Sequence, residues 1–275
     1  MTSTTQKRQK PSAGTLILRT IALVYLFVLL AVPIGLILYR TFANGIGPFI
    51  DSITTPAAIS AFNLSLLLVA IAVPLNVVFG VITSLALVRG RFPGRKLLQA
   101  VVDLPFAVSP IVVGVALILL WGRDGWFGGL ETLGIKVIYG IPGMALATIF
   151  VTLPFVVREV EPVLREIGND QEQAAATLGA NPWQTFWRIT LPSIRWGLTY
   201  GIVLTVARAL GEFGAVIMVS SGFPGVSQTL TLLVHARYID DHNTYGAYAA
   251  ATLLMGLAML TLLLMTLLDR KRSHS

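Results

Sequence analysis

The sequence predicts an all-α polytopic membrane protein with six transmembrane helices. Apolar residues make up 55% of its 275 residues and charged residues only 12%, whereas soluble domains carry about 25% charged residues. The mean hydropathy of +0.78 agrees with this. A water-soluble fold of this size would have too few polar residues to cover its surface, so soluble enzymes and soluble DNA-binding modules are disfavoured.

Six apolar stretches predict the six spans, because a helix needs about 20 apolar residues to cross the hydrocarbon layer. They are residues 20–39, 57–88, 97–122, 137–157, 196–221 and 243–268. The second stretch predicts one tilted span with an additional helical turn or an oblique lead-in. The first has a longer apolar run than a signal peptide, so we expect it to be retained.

The spans divide the chain into three regions. We expect a transmembrane permease domain over 20–268, with a long loop at 158–195, between an N-tail at 1–19 and a C-tail at 269–275. Fifteen of the 20 Lys and Arg residues lie in the two tails and in the loops that follow the second and fourth spans. This asymmetry predicts that both termini are cytoplasmic, in a multi-pass protein of a plasma (inner) membrane. It also assigns the basic charge to topology rather than to nucleic acid.

Several kinds of chemistry are disfavoured by what the sequence lacks. It contains no Cys, which excludes disulfides and thiolate metal sites, and its three His residues have no ligand-like spacing. No His falls within a predicted span, which disfavours an intramembrane enzyme. No phosphate-binding G-x-x-x-x-G-K-[ST] loop occurs. We therefore expect no cofactor and no metal in this chain, and no enzymatic activity of its own.

The loop at 158–195 contains signals for two ordered helices. Asp170 and Gln173 have the spacing of a capping box, and Gly179 is placed as a helix stop. Asn181 then predicts a second helix start, with Pro182 in its first turn.

The second helix of this loop has its own cap and end signals. Gln184 repeats the capping spacing and Pro192 is expected to close the helix. Trp183, Phe186 and Trp187 fit an interfacial hairpin, because aromatic side chains favour the depth of the lipid headgroups. The small residues of the first helix, in contrast, favour docking into a groove of another protein.

The residues of this loop resemble the EAA motif of ABC-importer permeases. The matching pattern is Gln173-Ala174-Ala175-x3-Gly179-x9-Ile189-x-Leu191-Pro192. The resemblance implies a type I ABC importer permease fold whose coupling-helix hairpin docks into an ATP-hydrolysing subunit. The ATPase-coupling residues that it implies are Glu172, Gln173, Ala174, Ala175, Leu178, Gly179, Ile189, Leu191 and Pro192.

This chain departs from the motif at its first position. Gln173 stands where the motif has Glu, and Glu172 precedes it. If the motif's Glu mainly caps the helix, Gln can replace it. If its charge pairs with the ATPase, Glu172 would have to make that contact.

Arg208 and Glu212 are charged residues within the predicted fifth span. They are four residues apart, so on a helix they would lie on one face and could form a pair. Isolated charges are costly in lipid, so we expect both to face the bundle interior. Two interpretations remain open: a pair that fixes helix packing, or a substrate pathway in which Arg208 meets an anion.

The sequence around this pair resembles the corresponding span of sulfate and molybdate permeases. The run 207–215 carries the likeness, together with 92–95, 103–110, 147–154 and 187–192. The chain is similar to the permease subunits of sulfate/thiosulfate importers, which implies oxyanion import by alternating access.

The resemblance also implies the other components of the importer. They are a CysA-like ATPase subunit, as a dimer, that binds ATP and Mg²⁺, a CysT-like second permease subunit, and an extracytoplasmic sulfate-binding protein. The alternatives are a permease for molybdate, tungstate or another oxyanion, and a secondary anion transporter that needs no ATPase.

Overall fold

The computed structural model describes residues 13–272, which form helices and the turns that connect them, with no β-strand among them. The first seven α-helices are α1 (Ala13–Leu26), α2 (Val32–Phe42), α3 (Ile46–Ile53), α4 (Pro56–Arg89), α5 (Arg95–Ala107), α6 (Pro110–Trp121) and α7 (Gly129–Thr132). The next seven are α8 (Ile141–Ile167), α9 (Asp170–Thr177), α10 (Pro182–Thr185), α11 (Leu191–Leu210), α12 (Gly214–Val219), α13 (Leu230–His235) and α14 (Thr244–Arg272). Three π-helical segments, Phe27–Ala31, Phe186–Thr190 and Ala236–Asp240, continue α1, α10 and α13. The all-α class is confirmed; the first 12 residues of the predicted N-tail and the last three of the C-tail lie outside the described residues.

Four uninterrupted helical stretches in the described part are long and apolar enough to cross a membrane. They are Ile17–Phe42, Pro56–Arg89, Ile141–Ile167 and Thr244–Leu267. They match the first, second, fourth and sixth predicted spans. The second is one helix of 34 residues that continues through Pro74, as predicted. The helix of the fourth predicted span, α8, extends to Ile167, so the first part of the predicted loop at 158–195 is helical.

The predicted third span, 97–122, is two helices rather than one. α5 and α6 meet at an angle of 114°. Val108 and Ser109, between them, have ψ of 135°. Ser109 precedes Pro110, and the residue before a proline avoids the helical region. α5 is held against α8 by an ion pair in which Arg158 Nη2 lies 2.9 Å from Asp103 Oδ1.

The predicted fifth span, 196–221, is also divided. α11 ends at Leu210 and α12 begins at Gly214. Six uninterrupted spans are therefore not found: the described residues contain four, one bent pair (α5 and α6) and one broken pair (α11 and α12). Hydropathy did not predict these breaks, because the stretches on both sides of each break are apolar.

The core of the bundle is formed by α4, α8 and α11, which pack closely where small residues meet. A Cβ atom added to Gly80 of α4 would lie 2.7 Å from Val156 Cβ of α8. A Cβ on Gly197 of α11 would lie 2.7 Å from Glu159 O, and one on Gly201 would lie 3.0 Å from Val156 Cα. Small residues allow such approach of two backbones, which strengthens helix association in membranes.

Arg237 is a buried cation that the sequence pattern did not single out. Its guanidinium donates hydrogen bonds to Ser52 O at 3.0 Å, Thr55 Oγ1 at 2.9 Å and Gly246 O at 3.0 Å. It therefore joins the end of α3 and the N-cap residue of α4 to the start of α14. Burial lowers the pKa of the Arg237 guanidinium, and the nearby charge of Asp241 opposes this shift.

Candidate functional site: the coupling hairpin and the broken fifth span

The coupling hairpin, residues 168–192, links α8 to α11 and contains most of the predicted coupling residues. Its first helix, α9, has Asn169 as its N-cap residue, and Asn169 makes no side-chain cap. Asp170 is already the first helical residue, so the predicted capping box of Asp170 and Gln173 is wrong. The backbone N–H of Gln173 instead donates to Asn169 O at 3.0 Å.

Gly179 ends α9 as predicted. Its φ of +86° is in the left-handed region, which glycine adopts without a Cβ penalty. Ala180 N donates to Ala175 O and Gly179 N donates to Ala176 O, both at 3.0 Å. These two bonds form a Schellman motif, which satisfies carbonyl groups at the helix end.

The second helix of the hairpin begins as predicted and ends differently. Asn181 Oδ1 accepts from Gln184 N at 2.8 Å and Gln184 Oε1 accepts from Asn181 N at 3.0 Å, so this capping box is confirmed. Pro192 does not close the helix, which continues through Phe186–Thr190 into α11. The wider π-helical turn precedes the proline, where an ordinary α-turn would place the proline ring against the carbonyl of residue 188.

The hairpin presents an exposed apolar surface, which we call the docking face: Ala174, Leu178, Trp183 and Trp187. The side chain of Leu178 is 88% exposed and that of Trp183 is 70% exposed. No residue of α9 is buried. The aromatic rings of Trp183, Phe186 and Trp187 contact one another, with centroids 5.4 to 6.4 Å apart.

The predicted coupling residues do not all lie on this face. Gln173, Ala174, Leu178, Gly179 and Pro192 are exposed. Ala175, Ile189 and Leu191 are half-buried, and Leu191 packs against the core between α4, α8 and α11. The second half of the motif therefore connects the hairpin to the bundle rather than forming its exposed tip.

Glu172 faces the permease itself. Its carboxylate Oε2 lies 2.9 Å from Nε of Arg89, the last residue of α4. Its Oε1 accepts a hydrogen bond from Thr190 Oγ1 at 2.8 Å. Arg89 was not identified from the sequence as a site residue, because a contact between residues 83 positions apart leaves no local pattern.

Arg208 and Glu212 form an ion pair, as predicted, but across the helix break. Nη1 of Arg208, in the last turn of α11, lies 2.6 Å from Oε2 of Glu212. Oε1 of Glu212 accepts a hydrogen bond from Ala215 N at 2.8 Å, at the start of α12. Glu212 is not on the helix of Arg208, so the predicted single-helix geometry is wrong.

Within residues 13–272, no group of three or more His, Cys, Asp or Glu side chains could hold a metal ion.

The two side chains of this pair differ in exposure. The Glu212 side chain is 1% exposed and that of Arg208 is 32% exposed. The carboxylate is therefore fixed by the fold, whereas part of the guanidinium remains accessible. An arginine fork with free donors matches the oxygens of a tetrahedral oxyanion.

The chain is similar to a known protein family and to known transport permeases. Residues 76–274 match the model of a family described as "Binding-protein-dependent transport system inner membrane component". The Sulfate transport system permease protein CysW of Synechococcus elongatus is 48% identical over 265 residues, which cover 96% of this chain and 92% of that protein. The CysW protein of Escherichia coli strain K12 is 45% identical over 249 residues, 90% of this chain and 84% of that protein.

Solved structures share the fold. A bacterial ABC transporter involved in the import of the acidic polysaccharide alginate aligns with a TM-score of 0.74 at 18% identity, covering 93% of this chain and 95% of that chain. The same kind of transporter in complex with an alginate pentasaccharide-bound periplasmic protein aligns with a TM-score of 0.74 at 17% identity, covering 93% and 94%. The fold is that of an ABC importer permease.

Proposed function

The chain belongs to the family of binding-protein-dependent transport system inner membrane components, and we propose that it is the permease subunit of an ATP-driven importer of sulfate or thiosulfate. The observation that carries this proposal is the identity of 45% to 48% to sulfate transport permeases along most of their length. The chain would move the oxyanion across the inner membrane by alternating access, with both termini in the cytoplasm.

An ATPase subunit is required because this chain has no phosphate-binding loop of its own. In the proposed complex a dimeric, CysA-like ATPase binds ATP and Mg²⁺ and holds the coupling hairpin in a cleft. The exposed Leu178 and Trp183 support this role, because an apolar helix face fits a groove on a partner. Gln173 and Gly179 lie exposed beside them and would complete the contact.

Two further partners belong to the proposal. A second permease subunit would supply the other half of the pathway. Proteins named CysT are candidates of the right kind, since the CysT protein of Synechocystis is itself 34% identical to this chain. An extracytoplasmic sulfate-binding protein would deliver the substrate; the alginate transporter, which shares the fold, forms a complex with an alginate pentasaccharide-bound periplasmic protein.

We assign Arg208 to the substrate pathway. Glu212 would hold the Arg208 side chain in position. Glu212 is buried and hydrogen-bonded to the backbone of α12, so its carboxylate gives the guanidinium a fixed partner. The exposed part of Arg208 retains donors for an anion. Sulfate would then pass beside the break between α11 and α12, where the helix is interrupted.

Reconstitution in liposomes tests the proposed function. The complex of this chain with its ATPase, second permease and binding protein is sealed into vesicles, and uptake of radiolabelled sulfate is measured with and without ATP. We expect uptake only with ATP, the ATPase and the binding protein, and competition by thiosulfate stronger than by molybdate or tungstate. Stronger competition by molybdate or tungstate than by thiosulfate would mean that the transported substrate is another oxyanion. Ion-driven uptake by this chain alone would assign a secondary transporter and refute the proposal.

A further inference from the structure

We propose that Arg89 is a positioning residue that locks the coupling helix α9 to the bundle, so that α9 cannot move without moving α4. This inference rests on the proposed function, because it concerns how movement of the ATPase reaches the spans. It also assigns Glu172 to the inside of the permease, and leaves the contact with the ATPase to the docking face and Gln173.

The contacts of Arg89 join three segments at one guanidinium. Nε and Nη2 donate to the two carboxylate oxygens of Glu172 on α9, at 2.9 and 3.4 Å. Nη1 donates to Leu164 O at 3.2 Å, and Nη2 also donates to Gly168 O. Thr190 adds a fourth segment through its hydrogen bond to Glu172. We call this group, Arg89 with Glu172, Thr190, Leu164 and Gly168, the clamp.

The clamp is the main attachment of α9 to the bundle. α9 buries none of its residues. An open groove lined by Leu85, Ala176, Ala180 and Phe186 separates it from α4 and α10. Because apolar packing under α9 is sparse, its orientation depends on the polar contacts of Glu172. A push on the docking face would otherwise tilt α9 into the groove without displacing the spans.

An arginine is specifically suited to this position. Its planar fork holds a carboxylate through two nitrogens while the remaining N–H groups reach backbone carbonyls, whereas a lysine offers one compact ammonium group. Leu164 O belongs to the last turn of α8, where a cation also interacts favourably with the helix dipole. The Arg89 side chain is 22% exposed and the Glu172 side chain is 21% exposed, so the ion pair in the clamp is shielded from much of the solvent.

The test compares Arg89→Gln with Arg91→Gln in the complete reconstituted complex. Arg91 lies two residues further on, is exposed, and makes no hydrogen bond or ion pair within the described residues, so its substitution removes the same charge without the clamp. We expect Arg89→Gln to assemble with the ATPase but to lower the sulfate taken up per ATP hydrolysed by about tenfold, because several charge-assisted hydrogen bonds are lost. Arg89→Lys should recover part of this ratio and Arg91→Gln should match the wild type.

A second measurement reports the position of α9 directly. The natural chain has no Cys, so spin labels can be placed on cysteines introduced at Gln171 on α9 and Ile82 on α4, both of which are exposed. We expect a narrow distribution of distances with Arg89, a broad one with Arg89→Gln, and a narrow one with Arg91→Gln.

The outcomes separate this inference from the proposed function. If the wild-type complex shows no ATP-dependent uptake, the proposed function fails. If the wild type transports but Arg89→Gln keeps the normal ratio of uptake to hydrolysis, or keeps a narrow distance distribution, the clamp proposal is overturned. Should Arg89→Gln not accumulate, Glu172→Gln tests the same contact from the other side, and a normal ratio there would also overturn it.

Discussion

Arg208 and Glu212 pair across a break in the polypeptide helix, with Nη1 of Arg208 2.6 Å from Oε2 of Glu212. The two residues therefore have different tasks, although they are only four positions apart. Glu212 is buried and fixes the first turn of α12 through Ala215 N, whereas Arg208 is partly accessible at the end of α11. Substitutions at the two positions should consequently affect different measurements.

Arg208→Ala should lower transport more than it lowers the amount of protein in the membrane. We expect uptake per permease to fall by about tenfold or more, since a hydrogen bond to a charged group contributes about 1.5–3 kcal/mol. Radiolabelled uptake is measured against the abundance of the permease on a blot. Equal losses of uptake and abundance would mean that the pair only holds the helices together.

Glu212→Ala should mainly reduce the amount of folded protein. It removes the acceptor for Ala215 N and leaves the Arg208 charge without its partner, and breaking a buried ion pair costs about 3–5 kcal/mol. Glu212→Gln keeps an acceptor and should fall between Glu212→Ala and the wild type. Glu131→Gln, at an exposed carboxylate, is the control. Normal abundance and melting temperature of Glu212→Ala would contradict this role.

Gly179→Arg should leave the permease in the membrane but detach the ATPase. The φ of +86° costs an ordinary residue about 1–2 kcal/mol, and the new side chain would extend beside the docking face. Gly179→Asn is the matched control, because Asn tolerates left-handed backbone better than other residues. We expect co-purification of the ATPase to be lost with Arg and retained with Asn. Retention with both, together with substrate-stimulated ATP hydrolysis, would show that Gly179 does not face the ATPase.

The parts of the hairpin predicted correctly from sequence are those determined by neighbouring residues. The helix stop at Gly179 and the capping box of Asn181 and Gln184 each depend on a few consecutive positions. The box expected at Asp170 failed because Asn169, one residue earlier, begins the helix instead. The Arg89–Glu172 contact joins distant segments, and no spacing rule applies to it.

Hydropathy alone predicted the existence of the spans but not their continuity. The stretches at 97–122 and 196–221 are largely apolar, with Asp103 in the first and Arg208 and Glu212 in the second, and mean hydropathy does not reveal where a helix bends. A proline signal was available at Ser109-Pro110, since the preceding residue disfavours a helix. At the second break, the Glu212 carboxylate accepts a hydrogen bond from Ala215 N in the first turn of α12, a local contact that hydropathy does not register.

Arg237→Met should destabilise the fold, although the new side chain is apolar. The substitution removes the hydrogen bonds that the guanidinium donates to the carbonyls of Ser52 and Gly246 and to the hydroxyl of Thr55, and a hydrogen bond to a charged group contributes about 1.5–3 kcal/mol. Thermal unfolding in detergent measures the effect. Arg123→Met, at an exposed arginine, controls for the loss of charge. Equal melting temperatures for the two variants would contradict the anchoring role of Arg237.

Gly80→Ala should weaken the contact between α4 and α8, because the added methyl would lie 2.7 Å from Cβ and Cγ1 of Val156. Overpacking of this kind typically costs about 1–3 kcal/mol. Gly256→Ala, in α14 where a Cβ meets nothing within 4 Å, should be neutral or stabilising, since alanine favours the helix more than glycine does. Val156→Ala removes Cγ1, so the double variant should lose less stability than the two single losses combined. Simple additivity in thermal unfolding would mean that positions 80 and 156 are not coupled, and would contradict a direct clash between the added methyl and Val156.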